Sequence, residues 1–165
     1  WVAAATDAVA SGGYLVEIGS AAEQQVVYNA IKEYVSASYT TVKDGGGIAY
    51  VWIGATDREQ EGTWLWNGSN LVGSGTHFWS GTGSGQAVGD NYYNWGGKAA
   101  GSTNEPDNFT DATVSPNGQD AAAIGLANWP AGATGNGQLG RAGEWNDIAE
   151  TNLLYYVIEF DTIKE

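Results

Sequence analysis

Hydrophobic and polar positions follow two helical patterns before the chain turns to strand-like runs. The first pattern covers residues 2–11 and stops at a pair of glycines, which commonly end helices. The second begins after Ser20, which forms a capping box with Glu23 because each side chain can accept from the other residue's backbone N–H. This second helix is expected to end near residues 36–38. Its apolar stripe consists of Val27, Ile31, Tyr34 and Val35.

Strand signals fill most of the remaining chain but leave one long gap. Short apolar runs, many of whose residues are β-branched or aromatic, predict strands at 50–54, 63–66, 121–125 and 155–160. A further run at 14–18 predicts either a strand or an extended link. The gap begins after Gly68, is rich in glycine and still carries several large aromatic side chains. A disordered linker would not carry so many aromatic residues. We therefore predict a long ordered loop region at about 67–120, of the kind that usually has a function.

The composition of the chain excludes several classes of binding partner and of functional site. A length of 165 residues indicates one domain, which can bury a core without a metal or a disulfide. The net charge of −13 excludes binding along a nucleic-acid backbone and opposes binding to anionic membranes. The absence of cysteine excludes disulfides, thiolate zinc sites and cysteine nucleophiles. The sequence contains neither a membrane-spanning apolar run nor a signal-peptide pattern.

Acidic residues concentrate in the second half of the chain. Between Ala99 and Ile163 the one basic residue is Arg141, whereas many carboxylates and side-chain amides fall there. Carboxylate and amide oxygens on loops are the ligands that calcium prefers. No EF-hand loop is present, so a calcium site must be assembled from distant segments. A solvated acidic loop is the alternative interpretation of the same composition.

Six short motifs occur in a fixed order along the chain. They are Trp52-Ile53-Gly54, Glu61-Gly62-Thr63-Trp64-Leu65-Trp66, Tyr93-Asn94-Trp95, Glu105-Pro106-Asp107, Gly118-Gln119-Asp120 and Trp145-Asn146-Asp147. This series resembles the C-type lectin domain and covers nearly the whole chain.

The resemblance implies an α+β fold with two helices, small antiparallel sheets and a long calcium-binding loop region. Residues 1–165 form a single domain of this kind, whose two ends meet in a closing strand pair. We expect the domain to be a monomeric part of a larger multidomain chain. The resemblance leaves open that the usual opening strand lies upstream. It also places five tryptophans in the core: Trp52, Trp64, Trp66, Trp95 and Trp145.

The family's sugar-binding calcium site carries over onto five residues, which serve as both metal and ligand-binding positions. These are Glu105, Asp107, Gln119, Asn146 and Asp147. In the family the peptide bond before the central proline is usually cis, which turns both flanking side chains toward the metal. Asn117 is an alternative to Gln119, because the intervening loop is longer than usual.

Two departures from the family pattern affect sugar recognition. The loop reads Glu-Pro-Asp, and the position before the next strand, usually acidic, is Gln119. Three carboxylates remain, so we expect calcium affinity to survive. However, Glu105 and Asp107 form a pair of acceptors, and a hydroxyl has only one proton to donate. Neither the mannose-type nor the galactose-type rule therefore applies.

A second calcium ion is also implied by the resemblance. The segment 56–61 is similar to the family's auxiliary calcium segment, and the candidate ligands are Asp57, Glu61, Asp120 and Asn108. The competing interpretation is a surface turn in which Arg58 pairs locally.

Several further features complete the prediction. The family's cysteine positions hold Ala121, Glu150 and Ile158. Bacterial members in large RTX-like surface adhesins commonly lack these bridges, which implies an extracellular, cell-surface location in a bacterium. His77 is interpreted as a hydrogen-bonded loop residue, and Trp129 either stacks on a sugar or anchors a loop.

The predicted function is a calcium-dependent carbohydrate-binding module of a bacterial adhesin, with Ca²⁺ bridging vicinal hydroxyls of cell-surface glycans. A protein-binding, peptide-binding or ice-binding module on the same fold is the alternative. An enzyme is disfavoured. Glu105 and Asp107 could form a glycosidase pair only if one pKa were raised, whereas two cation ligands should have lowered pKa values.

Overall fold

A computed structural model describes residues 1–161. The two α-helices are α1 (Val2–Ala10) and α2 (Ala21–Tyr34). The strands are β1 (Tyr14–Leu15), β2 (Thr41–Val42), β3 (Ile48–Thr56), β4 (Thr63–Trp66), β5 (Thr76–Ser80), β6 (Gln86–Ala87), β7 (Ala121–Gly125), β8 (Trp145–Ile148) and β9 (Ile158–Glu159). Short 3₁₀ turns occur at Lys43–Gly45, Lys98–Ala100 and Gly135–Gly137.

The nine strands within residues 1–161 form two antiparallel sheets. The larger sheet has the order β6-β5-β4-β3-β7-β8, and β2 also pairs with β3. The smaller sheet pairs β1 with β9, so Tyr14 lies opposite Glu159 and Leu15 opposite Ile158. The first and last described strands therefore form a closing pair. The upstream opening strand that the resemblance left open stays a prediction.

Both predicted helices are present, with small differences at their ends. The Ser20 hydroxyl accepts from the Glu23 N–H at 3.1 Å, as the capping box requires. The Glu23 carboxylate, however, accepts from the Gly19 N–H at 2.7 Å rather than from Ser20. Helix α2 ends at Tyr34, earlier than expected, and the backbone is extended at Val35. The side chain of Tyr34 is 80% exposed, so it is not part of the buried stripe as predicted.

Strand β3 is buried along its whole length and divides the core in two. Alternate side chains, such as Val51 and Ile53, pack in one cluster with Val27 and Ile31 of α2. Those on the other face, among them Tyr50, pack in a second cluster with the alanines of α1. Because successive side chains of a strand point to opposite faces, this one strand serves both clusters.

Aromatic side chains fill the larger cluster. The rings of Trp66 and Phe78 stack at 4.7 Å between centroids, and Trp145 meets Trp66 edge-on at 5.3 Å. Trp64 and Trp95 are 4.8 Å apart. The five tryptophans predicted to be in the core are all buried: Trp52, Trp64, Trp66, Trp95 and Trp145.

The strand predictions were accurate in the middle of the chain and less so elsewhere. β4 and β7 match 63–66 and 121–125, and the run at 50–54 lies within the longer β3. Within the predicted run 155–160 only β9 is a regular strand, because Tyr155 and Val157 bond instead to the backbone of Trp52. Strand β5 was missed. It lies in the predicted loop region, where flanking glycines hide the strand pattern.

Neither described helix is long and apolar enough to span a membrane.

Phe78 provides a test of the packing that β5 contributes. Phe78→Ala should lower the free energy of unfolding by about 3–5 kcal/mol, because the ring is fully buried between Trp66 and Trp95. Urea denaturation measures this change. The matched control is Val72→Ala, at a side chain that is 83% exposed, which should change stability by less than about 0.5 kcal/mol. Equal effects of the two substitutions would show that β5 is not part of the core.

Candidate metal centre

Three carboxylates converge at one end of the larger sheet. One oxygen each of Glu105, Asp107 and Asp147 lies within 4.8 Å of the other two. Glu105 and Asp147 are buried, with 2% and 0% exposure, whereas Asp107 is exposed. Within residues 1–161 no other group of three potential metal ligands is as close. The structure therefore brings together the three acidic members of the predicted site.

Hydrogen bonds from backbone N–H groups to the side chain of Asp147 attach the Glu-Pro-Asp loop to strand β8. The peptide bond between Glu105 and Pro106 is cis. The carboxylate of Asp147 accepts from the N–H of Asp107 at 3.0 Å and from the N–H of Asn108 at 2.7 Å. Asp147 sits near the end of β8, opposite Ala122 of β7. The position of the loop is thus set by a side chain on a rigid strand.

Trp129 holds the carboxylate of Glu105. Its indole N–H donates to Glu105 Oε1 at 3.0 Å. Trp129 itself is 1% exposed, and a Cβ added at Gly140 would lie only 2.0 Å from its ring. Of the two roles considered for Trp129, the structure therefore gives it loop anchoring, because no ring face is available to a sugar.

Two buried acceptor oxygens of the site have no hydrogen-bond partner among the described residues: Glu105 Oε2 and Asn146 Oδ1. We call them the open oxygens. A buried polar atom without a partner costs about 1–3 kcal/mol, so a cation or a water bound to these two oxygens would stabilise the site.

The orientation of the Asn146 amide follows from its neighbour. Its Nδ2 lies 2.9 Å from the hydroxyl of Tyr50, and that hydroxyl lies 2.8 Å from the Gly45 carbonyl oxygen. The carbonyl can only accept, so the single proton of Tyr50 goes to Gly45. The phenol oxygen must then accept from the Asn146 N–H, which leaves Asn146 Oδ1 free.

Gln119 is buried beside the three carboxylates but is bonded to the protein. Its Nε2 donates to the carbonyl oxygen of Asp44 at 2.9 Å and to the Asp44 carboxylate at 3.0 Å. Its Oε1 accepts from the Phe109 N–H at 2.8 Å. Asn117, the alternative candidate, is exposed.

A cavity of about 230 Å³ adjoins the site. The polar residues that line it include Glu105, Asp107 and Asn146. The apolar residues that line it include Phe109, Pro130 and Leu139. Phe109 is 45% exposed. The cavity thus combines acceptor oxygens with an apolar surface.

Solved structures with the same architecture are known. The mouse scavenger receptor C-type lectin carbohydrate-recognition domain matches with a TM-score of 0.53 and 24% identity, over 97% of this chain and 83% of that one. The human counterpart gives 0.55 and 24%, over 98% and 82%. This chain has a C-type lectin-like fold. No protein-family model matches its sequence, and no curated protein does.

Burial controls the pKa values of the carboxylates in this C-type lectin-like fold. Desolvation, and then the charge of Asp107, raise the pKa of Glu105 to about 8, although the Trp129 hydrogen bond opposes the shift. Burial also raises the pKa of Asp147 well above its ordinary value and raises that of Asp107. Without a cation, burial outweighs the hydrogen bonds and these pKa values are raised. The lowered pKa values expected for cation ligands stay a prediction.

Asp44 is a site residue that the sequence analysis missed. It lies in the Lys43–Gly45 turn, is 7% exposed and lines the same cavity. Besides Gln119, its carboxylate accepts from the Ala149 N–H at 2.6 Å and from Asn152 Nδ2 at 2.9 Å. An Asp-Gly pair after a short strand indicates only a turn, so no sequence signal marks this residue.

The candidate ligands for a second calcium ion do not form a group as close as Glu105, Asp107 and Asp147 within the described residues. Asp57 is buried, and its Oδ1 lacks a partner within residues 1–161. Burial, followed by the charges of Glu61 and Asp120, raises the pKa of Asp57 to about 8. Asn108 Oδ1 accepts from the Gln119 N–H at 2.8 Å. A second calcium site at Asp57, Glu61, Asp120 and Asn108 stays a prediction.

Arg58 and His77, for which the sequence suggested local roles, both make structural contacts. Arg58 pairs with Glu150 across a long stretch of sequence, not locally as the alternative interpretation supposed. His77 Nε2 contacts the carbonyl oxygen of Trp79 at 3.1 Å and the hydroxyl of Ser80 at 3.0 Å. His77 is thus hydrogen-bonded, as expected, but on strand β5 rather than in a loop.

The raised pKa of Glu105 predicts an unusual pH dependence of stability. Between the ordinary value of 4.5 and about 8, folded Glu105 holds a proton that the unfolded chain has released. In metal-free buffer the free energy of unfolding should therefore fall as pH rises from about 5 to 8, by at most about 1.4 kcal/mol per pH unit for each proton. Urea denaturation at several pH values measures this slope.

The matched control for this slope is Glu105→Gln, which cannot titrate and should reduce the slope by the contribution of one proton. The raised pKa values of Asp147 and Asp57 account for the part that remains. A stability that increases with pH over the same range in the wild-type protein would contradict the prediction.

Proposed function

We propose that this chain is a calcium-dependent carbohydrate-binding module of a bacterial cell-surface adhesin, in which Ca²⁺ bridges vicinal hydroxyls of a glycan. The observation that carries the proposal is the pair of open oxygens beside three converging carboxylates. A hard cation placed there would satisfy both oxygens and compensate the buried charge. The proposed metal and ligand-binding residues are Glu105, Asp107, Gln119, Asn146 and Asp147.

The chemistry of these side chains suits calcium. Every predicted ligand atom is an oxygen, and Ca²⁺ takes about 6–8 oxygens in a flexible arrangement. The three carboxylates supply a charge of −3, and the two amide carbonyls are neutral. Hydroxyls of a ligand can complete the coordination, because Asp107 is exposed and borders the cavity.

A carbohydrate ligand is supported by the cavity and by the fold. The two solved structures of similar fold are carbohydrate-recognition domains. A sugar ring has polar edges and an apolar face, which suit the acceptor oxygens and the wall formed by Phe109, Pro130 and Leu139. Single-site affinity should be weak, with multivalent display providing avidity.

A protein or peptide ligand is the second candidate. The amide N–H groups of Gln119 are both engaged by Asp44, and one of Asn146 is engaged by Tyr50. A ligand therefore meets acceptors more than donors, which suits a cationic peptide as well as a diol. An ice-binding surface has no comparable support, and we do not propose an enzyme.

The wider setting of the domain is also part of the proposal. A cysteine-free, strongly acidic C-type lectin-like fold suits a monomeric module of a larger extracellular chain. The second calcium ion near Asp57 is proposed on the strength of its partnerless, buried Oδ1 within the described chain.

Calcium should raise the melting temperature. A ligand at about 100 times its dissociation constant adds about 2.7 kcal/mol, which for this chain length corresponds to roughly 5–10 °C. Asp107→Asn should remove most of this shift, because it deletes one of the three charges at an exposed position that tolerates substitution. The matched control is Asp90→Asn, at another exposed carboxylate. A thermal melt with calcium against chelator measures both, and no shift in the wild-type protein would refute the metal site.

Glycan binding requires its own assay. A panel of monosaccharides and a glycan array, each with calcium and with chelator, should show binding that chelator abolishes. Binding that chelator leaves unchanged would contradict the mechanism. An array without signal, combined with calcium-dependent binding to cells, would favour the peptide or protein ligand.

A further inference from the structure

We propose that the turn at Lys43–Gly45 positions the calcium site by orienting both of its amide side chains, and that the carboxylate of Asp44 acts on the site through Gln119. This inference rests on the proposed function in one respect, because it takes the site to hold a cation. The turn lies far from the other site residues in sequence, and nothing in the lectin resemblance singles it out.

Asp44 determines which way the amide of Gln119 faces. Both N–H groups of Gln119 donate to Asp44, one to its carbonyl oxygen and one to its carboxylate. Neither acceptor can donate, so the reverse orientation of the amide would place two acceptors in contact. Gln119 Oε1 is thereby held toward the loop that carries the acids, where it accepts from the Phe109 N–H.

Gly45 determines the orientation of Asn146 through one intermediate. Its carbonyl oxygen receives the proton of Tyr50, and the phenol oxygen then accepts from Asn146 Nδ2. One of the open oxygens, Asn146 Oδ1, is free for this reason alone. Two consecutive residues of one turn, Asp44 and Gly45, therefore orient both amides of the site. The carbonyl oxygen of Asn146 is left available, and that of Gln119 is directed toward the acidic loop.

Asp44 also brings negative charge to a position where Gln119 has none. Its carboxylate is 7% exposed, lines the cavity and is fixed by Ala149 and Asn152. A carboxylate held this way polarises the Gln119 amide, which makes its carbonyl oxygen a better ligand for a cation. Partners of this kind commonly change metal affinity by about 10–100-fold when they are removed.

Substitutions at positions 44 and 119 test the carboxylate. Asp44→Asn should weaken calcium binding by about 10-fold, because it removes the charge that polarises the Gln119 amide and places an NH2 group against a donor, either that of Asn152 or those of Gln119 and Ala149. Gln119→Glu should destabilise the metal-free protein, since two carboxylates would then lie about 3 Å apart.

Tyr50→Phe tests the second branch. It removes the acceptor that orients Asn146 and keeps the ring that packs in the core. We expect calcium affinity to fall by about 5-fold or more. The matched control is Tyr14→Phe, whose hydroxyl donates to Asp161 far from the site, and it should leave calcium affinity unchanged.

Calcium affinity is measured by calorimetric titration at a temperature where every variant is folded. Thermal melts recorded in parallel then distinguish an effect on calcium affinity from an effect on the stability of the fold. Unchanged calcium affinity in Asp44→Asn and Tyr50→Phe, whatever their melting temperatures, would overturn the inference and leave the proposed function intact. A Gln119→Glu variant with the metal-free melting temperature of the wild-type protein would overturn the role of the carboxylate. A wild-type protein that binds no calcium would instead refute the proposed function.

Discussion

Burial of negative charge at one end of the sheet is the constraint on which the rest of this structure depends. Glu105 and Asp147 are almost fully removed from water, with Asp107 beside them at the surface. Ionised carboxylates are stable in such a place only when they are hydrogen-bonded, protonated or bound to a cation. In this structure Glu105 Oε2 has no hydrogen-bond partner among the described residues. The raised pKa of Glu105 reflects the unfavourable free energy of burying its charge.

The surrounding fold serves this end of the sheet. Strand β8 carries Asp147 and Asn146, β3 carries Tyr50, and Trp129 reaches Glu105 from a loop that packs closely on glycine. The aromatic cluster beneath holds the strands in register without any disulfide. A cation bound here would link loops that otherwise have little regular structure. Ligand binding and local stability would then depend on the same ion.

Much of the fold could be predicted from the sequence, because its signals are local. The Ser20 cap, β4, β7 and the buried tryptophans each follow from a few neighbouring residues. Strand β5 was missed because its glycine-rich flanks favour a loop, and β9 was overestimated because its neighbours pair with Trp52 instead of extending the strand. For the site, the three acids were found through motifs whose order matched a known family.

The sequence by itself determined which residue types are available: oxygen ligands, no thiols, excess negative charge and a core of aromatic anchors. The tertiary structure alone decided how they act. The contacts from Gln119 to Asp44 and from Asn146 to Tyr50 join residues 75 and 96 positions apart. Amide orientation, the sign of the pKa shifts and the anchoring role of Trp129 depend on such contacts and on burial, and neither is encoded in the neighbouring sequence.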